Sequence, residues 1–530
     1  MTRKLAAAIP VLLLIILYLV SIVDRQSARV EGERVFWLHD DMLISMRYAR
    51  HLAAGEGLVW NPGGARVQGY SNPLWVLVMA VIHLLPVPLR LTSLFVQLVN
   101  IGLSAVVLGL AARLMIRLEP RVGNGAVLAG LAALVVSNEL ARWAVIGTEM
   151  PLETVIFLGA ILLALEDAQR GAARARTFWL AGLPGLVRAD GLLYAGLVWL
   201  FALCLLPDKR QVFRYSPLIV LWTLPLLAFQ YAYYGSPLPN TYTLKMTGWT
   251  AAARLAPGAA YVLNVLWDYG LALLAALWLA YRSGSRPARL LAGMVVPLCA
   301  YAVYTGGDDF GGGRLFAPWL PALFACAFAA PARPRRRAAR HAALLAWTLV
   351  FARYEFVDAP TPEAGFAAAA PLLSARFPPD TEVGVFWAGA LPYFWDVPAV
   401  DMLGKNDASI ARLDAFPGAL LPGHNKFDYD FSIEVYAPDV IVSPVAPGFL
   451  ADPRFAAQFA QGDYAYVGQL FLSAHFREGY APRLLAVGEV WLFATAGIWE
   501  TIQPALADCR SVAGEPGLAD YGLREVCRLR

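Results

Sequence analysis

Asp40 and Asp41 stand side by side shortly after a first apolar block, and they open an amphipathic stretch that ends in Gln68-Gly-Tyr-Ser-Asn-Pro-Leu-Trp75. Adjacent carboxylates suit one kind of work in particular. One takes the proton of an attacking hydroxyl, which becomes nucleophilic enough only as that proton leaves, while the other orients it or binds a cation. Two further polar segments have a composition that could assist. Tyr234-Gly-Ser-Pro-Leu-Pro-Asn-Thr-Tyr-Thr-Leu-Lys-Met-Thr-Gly248 carries one formal charge, Lys245, and Thr305-Gly-Gly-Asp-Asp-Phe-Gly-Gly-Gly-Arg314 combines five glycines with Asp308, Asp309 and Arg314. A lysine and a planar guanidinium beside glycine-rich backbone are groups that hold a phosphate. Arg188-Ala-Asp190 is a fourth place where charge interrupts apolar sequence, and charges there are functional candidates.

Each reading has a plainer competitor. Asp40 and Asp41 could be the N-cap and first-turn acid of a helix, and Lys245 could simply snorkel. Arg188 and Asp190 could pair with each other, and His39 could be a polar interfacial residue. Glu149 and Glu153, which flank Pro151, read as caps of the helix that starts there.

The elements that must position these residues are mostly apolar. Of 530 residues, 58% are hydrophobic and 15% charged, and the apolar residues fall into blocks of membrane-spanning length. Leu5 to Val23 reads as an uncleaved first helix. Later blocks lie near 92–112, 124–138, 150–166, 191–206, 216–234, 262–281, 290–304, 317–330 and 342–353, with shorter runs at 73–89 and 178–187. The expected fold is an α-helical polytopic membrane protein with about 11–12 transmembrane helices over residues 1–353 and a first outer loop at 24–72. Arginines and lysines recur at alternate loops (170–176, 209–214, 282–289, 333–340), which places those loops in the cytoplasm and the acid pair outside. Arg113, Arg117 and Arg121 conflict with two crossings between Asn72 and Arg113, so either 73–89 does not cross fully or these arginines break the rule.

After Tyr354 the composition becomes that of a soluble domain. Runs at 381–387, 439–443 and 490–494 read as strands, so residues 354–530 are expected to form an extracytoplasmic α/β domain. Cys509 and Cys527 lie within it at a spacing that allows a disulfide. No Cys-x-x-Cys, Walker A or Gly-x-Gly-x-x-Gly motif is present, and the net charge of +4, explained by the basic loops, gives no reason to invoke nucleic acid.

Asp40-Asp-Met-Leu-Ile-Ser-Met-Arg-Tyr-Ala-Arg50, Gly57-Leu-Val-Trp-Asn-Pro-Gly63 and Val67-Gln-Gly-Tyr-Ser-Asn-Pro-Leu-Trp75 resemble the first outer loop of GT-C glycosyltransferases, in particular the mycobacterial terminal arabinofuranosyltransferase group. The resemblance continues, in order, through Pro239-Asn-Thr-Tyr-Thr-Leu-Lys245, Gly306-Gly-Asp-Asp309 with Arg314, Asp401-Met-Leu-Gly-Lys-Asn-Asp407 and Pro422-Gly-His-Asn-Lys426. It implies inverting transfer of a sugar, arabinofuranose by the nearest likeness, from a polyprenyl-phosphate donor in the membrane to an acceptor hydroxyl on an envelope glycan or glycoprotein. The base is then Asp40 first and Asp41 second, with Lys245 and Arg314 on the donor phosphate. His39, Arg47, Gln68, Tyr70, Asn72, Asn240, Tyr242, Arg188, Asp308 and Asp309 are candidates for contacting substrate. Gln68 departs from the family, whose members tend to carry glutamate there. A divalent metal at Asp40 and Asp41 would need Asp308, Asp309 or the donor phosphate to complete its oxygen shell. The competing functions are a transporter or flippase of lipid-linked sugar and a non-catalytic envelope assembly protein.

Overall fold

The structure is a computed structural model of the 530-residue chain. It describes residues 3–529 apart from 138, 309, 311–312, 332–340, 343, 347–361, 418–422, 451, 453, 455–458, 460–463, 481–482, 514–517 and 519–522. The expected block at 342–353 and the domain boundary at 353/354 therefore lie largely outside the described residues, as does Asp309.

The apolar blocks are helices: Arg3–Arg25, Leu89–Leu118, Asn124–Val136, Met150–Arg170, Gly191–Leu205, Ala251–Arg282 and Leu320–Ala329. Lys209–Tyr234 and Arg286–Thr305 are each one apolar span broken into consecutive helical pieces. Large side chains such as Leu12, Val20, Val81, Leu224, Leu263, Trp267 and Val296 stand exposed on the bundle. An apolar exterior of this extent belongs in lipid, where helices satisfy their own backbone groups.

The arginine conflict resolves in favour of the first alternative. Pro73–His83 is a helix of only 11 residues, about 16 Å long, which is half of a bilayer core of about 30 Å. The Leu89–Leu118 helix alone then makes the crossing. Its Arg113 and Arg117 meet Glu166 at 3.0 and 3.3 Å, and Arg176 meets the same carboxylate at 2.8 Å from the first turn of the Ala175–Gly182 helix. One end of the bundle thus gathers these arginines, and the cleft described below lies at the other.

Residues 27–36 form a hairpin of β1 (Ser27–Val30) and β2 (Glu33–Phe36) that leads into the Asp40–Ala53 helix. The C-terminal domain is built on a seven-stranded mixed sheet. Its strands are β3 (Val383–Val385), β4 (Ala399–Asp401), β5 (Val440–Val442), β6 (Arg483–Val487), β7 (Val490–Ala494), β8 (Leu506–Ser511) and β9 (Glu525–Leu529), in the order β4-β3-β5-β7-β6-β9-β8. The disulfide Cys509–Cys527 ties β8 to β9. Strand alternation sorts the side chains: Val440, Val442 and Leu492 pack to one side, Ile441 and Phe493 to the other. The first side shares a single core with Trp37, Met42, Leu43, Met46 and Trp60 of the first loop and with Trp75 of the Pro73–His83 helix. The C-terminal domain is therefore fused by apolar burial to the helix that carries the acid pair.

Candidate functional site

The Asp40–Ala53 helix has acids at its first two positions, but neither is its N-cap. His39 takes that place, its Nδ1 accepting from the Asp41 N–H at 3.4 Å, while its ring packs on Phe310 with centroids 4.7 Å apart. The capping expected of Asp40 is instead exerted on another helix. Its carboxylate accepts the N–H of Gly389 at 3.1 Å and of Ala390 at 2.7 Å, at the start of the short Ala390–Trp395 helix of the C-terminal domain. Its own N–H goes to Glu363 Oε1 at 2.8 Å. A Cβ on Gly389 would fall 1.8 Å from the Asp40 carbonyl oxygen, so this contact needs glycine. Burial drives the Asp40 carboxyl up to about 7; nearby Lys405 opposes the rise and Glu363 adds to it.

Asp41, about 100° further around the helix, faces a solvent-open cleft between the bundle and the C-terminal domain. Its Oδ1 accepts from Lys405 Nζ at 2.6 Å. Burial would raise its pKa, but Lys405, His39 and Lys245 together outweigh that and hold it well below the usual carboxylate range; the pair in turn raises Lys405. One helical turn on, Ser45 Oγ donates to Asn72 Oδ1 at 2.9 Å, and Asn72 Nδ2 donates to Glu149 at 2.9 Å. Glu149 also accepts from Arg188 at 2.7 Å, and Arg188 forks onto Asp190 at 2.7 and 2.9 Å. Glu149 holds the N-cap position of the Met150–Arg170 helix and Glu153 its first turn, but the Glu149 carboxylate makes no cap bond and instead links Asn72 to Arg188. Arg314, which lines the same cleft close to Arg188 and Asp190, forks onto Asp308 at 2.6 and 2.9 Å. Lys245 comes from the Asn240–Met246 helix.

Of the residues singled out in the sequence, Asp41, Tyr70, Asn72, Arg188, Tyr242, Lys245, Asp308 and Arg314 line this one cleft. Asp40, His39, Arg47, Gln68 and Asn240 are not among its lining residues. Arg47 is buried and acts as a strut. It donates to the carbonyls of Trp60, Pro392 and Val397 and to Asn61 Oδ1, joining the first loop to the C-terminal domain. Asn240 Nδ2 donates to the carbonyls of Gly404, Lys405 and Asp407 at 2.8 to 3.1 Å. The residue missed in sequence is Lys405, whose partner Asp41 lies 364 positions away. Its only signal was its place inside the Asp401–Asp407 motif.

The donor set for a metal at the acid pair does not converge. Asp40's oxygens take backbone N–H groups from the C-terminal domain, whereas Asp41 turns to the cleft and holds an ammonium. Among the described residues the one grouping of three potential ligands is Cys509, Glu525 and Cys527, where the two sulfurs are already bonded to each other.

A lipid-embedded bundle whose first loop carries an acid-headed helix beneath a sheet-bearing domain is the GT-C fold. Solved structures bear this out: the chain superposes on ArnT from Cupriavidus metallidurans bound to undecaprenyl phosphate with a TM-score of 0.59 and 14% identity, covering 93% of this chain and 98% of that one. It superposes on the Archaeoglobus fulgidus oligosaccharyltransferase in complex with Zn and sulfate with a TM-score of 0.57 and 12% identity, covering 92% and 73%. In sequence it is 28% identical over 337 residues to the terminal beta-(1→2)-arabinofuranosyltransferase of Corynebacterium glutamicum. That match spans 54% of this chain and about half, 47%, of the relative. Residues 358–491 match a family described as "Domain of unknown function (DUF8728)".

Proposed function

We propose that the chain is an inverting glycosyltransferase that moves a sugar from a polyprenyl-phosphate donor to an acceptor hydroxyl on the extracytoplasmic side of a bacterial inner membrane. The observation that carries this reading is the meeting of Asp41 with Lys245, Arg314 and Lys405 in one cleft, from four separate stretches of chain. The GT-C fold supports it, as does undecaprenyl phosphate bound to ArnT. Asp41, rather than Asp40, is the base: it faces the cleft, and the acceptor proton passes to its carboxylate. As the acceptor oxygen bonds to the anomeric carbon, the anomeric C–O bond to phosphate breaks, and polyprenyl phosphate leaves with one more negative charge. Lys245 meets that phosphate, and Arg314, held in place by Asp308, adds positive potential behind it. Tyr70, Asn72 and Tyr242 line the sugar and acceptor side.

The Corynebacterium relative makes arabinofuranose the first donor to test and an envelope glycan the first acceptor. Purified protein in nanodiscs, given polyprenyl-phosphate arabinofuranose and an arabinan oligosaccharide, is expected to release polyprenyl phosphate and lengthen the acceptor by one residue. A donor that moves across liposome membranes with no glycan product in any acceptor screen would replace this reading with a flippase.

A further inference from the structure

Four cations line the cleft, and their engagements differ in kind. Arg188 forks onto Asp190 and Arg314 onto Asp308, each through two parallel bonds. A planar guanidinium in a fork is fixed in orientation, and breaking it costs two charge-assisted bonds at once. Lys405 holds Asp41 through one bond, from an ammonium on a flexible four-carbon stem.

The backbone beneath Lys405 is fixed. Asp401's carboxylate accepts the N–H groups of Leu403, Gly404 and Asn406 at 2.7 to 3.1 Å, closing the loop on itself. Asn240 gathers three carbonyls of the same loop, Lys405's among them. Asn406 Oδ1 accepts from Tyr48 Oη at 3.0 Å and lies where a Cβ on Gly69 would sit, 1.8 Å away. Asn240 opens the helix that carries Lys245, so the two lysines of the cleft stand on elements stapled together. A fixed backbone under a side chain with four rotatable carbons lets one charge pivot over a short distance.

Resting on the transferase reading above, we propose that Lys405 is a charge switch: it occupies Asp41 while the cleft is empty of donor and moves onto the donor phosphate when that arrives, freeing Asp41 to take the acceptor proton. The phosphate diester of the donor carries one negative charge and gains another as the anomeric bond breaks. Lys405 then faces the leaving group while the proton rests on Asp41, and no further reactant is needed. An Asp41 still bonded to the ammonium is a poor base; donor binding removes that restraint, so transfer begins only when donor is in place. The titratable groups around Asp41 are His39, Lys245, Lys405 and Asp40; those around Lys405 are Asp41, Asp40 and Asp401.

Two variants with opposite expected signs test this, using full-length protein in nanodiscs and polyprenyl phosphate without sugar as the binding probe. Lys405→Met is expected to weaken polyprenyl phosphate binding by about tenfold or more. With the cation gone, Asp41 protonates more readily, so the acid limb of the kcat/KM profile moves to higher pH by about one unit. Asp41→Asn is expected to bind polyprenyl phosphate more tightly, by about tenfold, because Lys405 no longer has a carboxylate to leave. A merely structural Lys405 predicts a lower melting temperature for Lys405→Met, with neither the shifted limb nor the tighter binding by Asp41→Asn. If Lys405→Met does not fold, Asp41→Asn decides alone: wild-type or weaker affinity overturns the switch. Wild-type protein that neither binds polyprenyl phosphate nor transfers sugar overturns the transferase reading itself. Wild-type binding and transfer with the two variant effects missing overturns only the switch.

Discussion

On the face of the Asp40–Ala53 helix that meets the C-terminal domain, charged groups are matched mostly to backbone. Asp40 takes the N–H groups of Gly389 and Ala390, and Arg47 reaches three carbonyls as well as Asn61 Oδ1. On the face that meets the cleft, charge is matched to charge, Asp41 to Lys405, with Ser45 and Asn72 beside it. Backbone dipoles belong to elements locked in a fold, so a side chain bound to them becomes part of a joint. A lysine ammonium can exchange one anion for another. On the proposed reading, neighbouring carboxylates on one helix are thus a fastener and a reagent, and burial ranks them the same way, Asp40 being 3% exposed and the Asp41 side chain 27%.

The sharpest way to break this comparison is to neutralise each acid in turn. Asp41→Asn is expected to lower kcat by about 10³-fold, the range of a lost general base, while polyprenyl phosphate still binds. Asp40→Asn keeps an Oδ1 able to accept both N–H groups that this atom takes now, at 2.7 and 3.1 Å, and is expected to stay within about tenfold of wild-type transfer. A parallel transfer assay checks both, and the reverse ranking would return the base to Asp40. On the fastening side the largest loss falls at Arg47. Arg47→Ala leaves buried acceptors on both sides of the joint unpaired and is expected to destabilise by about 3 kcal/mol or more, with early proteolysis of the C-terminal domain. Arg47→Lys does not rescue it, because an ammonium lacks the fork that reaches several carbonyls in different directions.

Much of this site was legible because composition and spacing speak to it directly. The polar segments bearing Asp41, Arg188, Lys245 and Arg314 interrupt apolar sequence, and the alternation of basic loops indicates that they meet at one end of the bundle. Short runs of β-branched and aromatic residues likewise mark β3, β5 and β7. What sequence withheld is which way each polar group faces. Helical periodicity separates Asp40 from Asp41 by about 100° but gives no origin for the rotation. That origin is set by docking against residues 389–397, more than 340 positions away. The same blindness made Arg47 and Asn240 look like substrate contacts: a polar side chain facing another protein surface has the same sequence signature as one facing a ligand. Lys405 escaped notice for the converse reason, since nothing local marks a lysine whose partner comes from the first loop. The 11-residue span of Pro73–His83 was ambiguous in sequence because adjoining apolar residues extend it to apparent crossing length.

pH offers a gentler probe of the same contrast, because the two acids enter folding stability with opposite signs. Burial raises the folded-state pKa of Asp40 to about 7, so its contribution is fully present below about 4 and is lost as pH rises through about 7. Asp41 is depressed, chiefly by Lys405 against the effect of burial, so its contribution is present above about 4 and lost as pH falls below that. Between pH 5 and 8 the melting temperature of wild-type protein in detergent is therefore expected to fall with rising pH. Asp40→Asn should flatten this slope and Asp41→Asn should leave it. A slope that survives in Asp40→Asn belongs to other groups, and the joint then carries no buried charge of consequence.

The smallest expected effect lies on the cleft face, one turn from Asp41. Ser45→Ala removes a single hydrogen bond to Asn72, which keeps its bond to Glu149 and through it the link to Arg188. The cost is expected to be about 1 kcal/mol in stability, with less than a tenfold loss of transfer, since Ser45 holds a wall of the cleft and takes no proton. Steady-state kinetics at saturating donor should show the loss mainly in the KM for acceptor. A fall in kcat as deep as that of Asp41→Asn would mean that the acceptor proton travels through the Ser45 hydroxyl, and the division between reagent and support would then have to be redrawn within the cleft face itself.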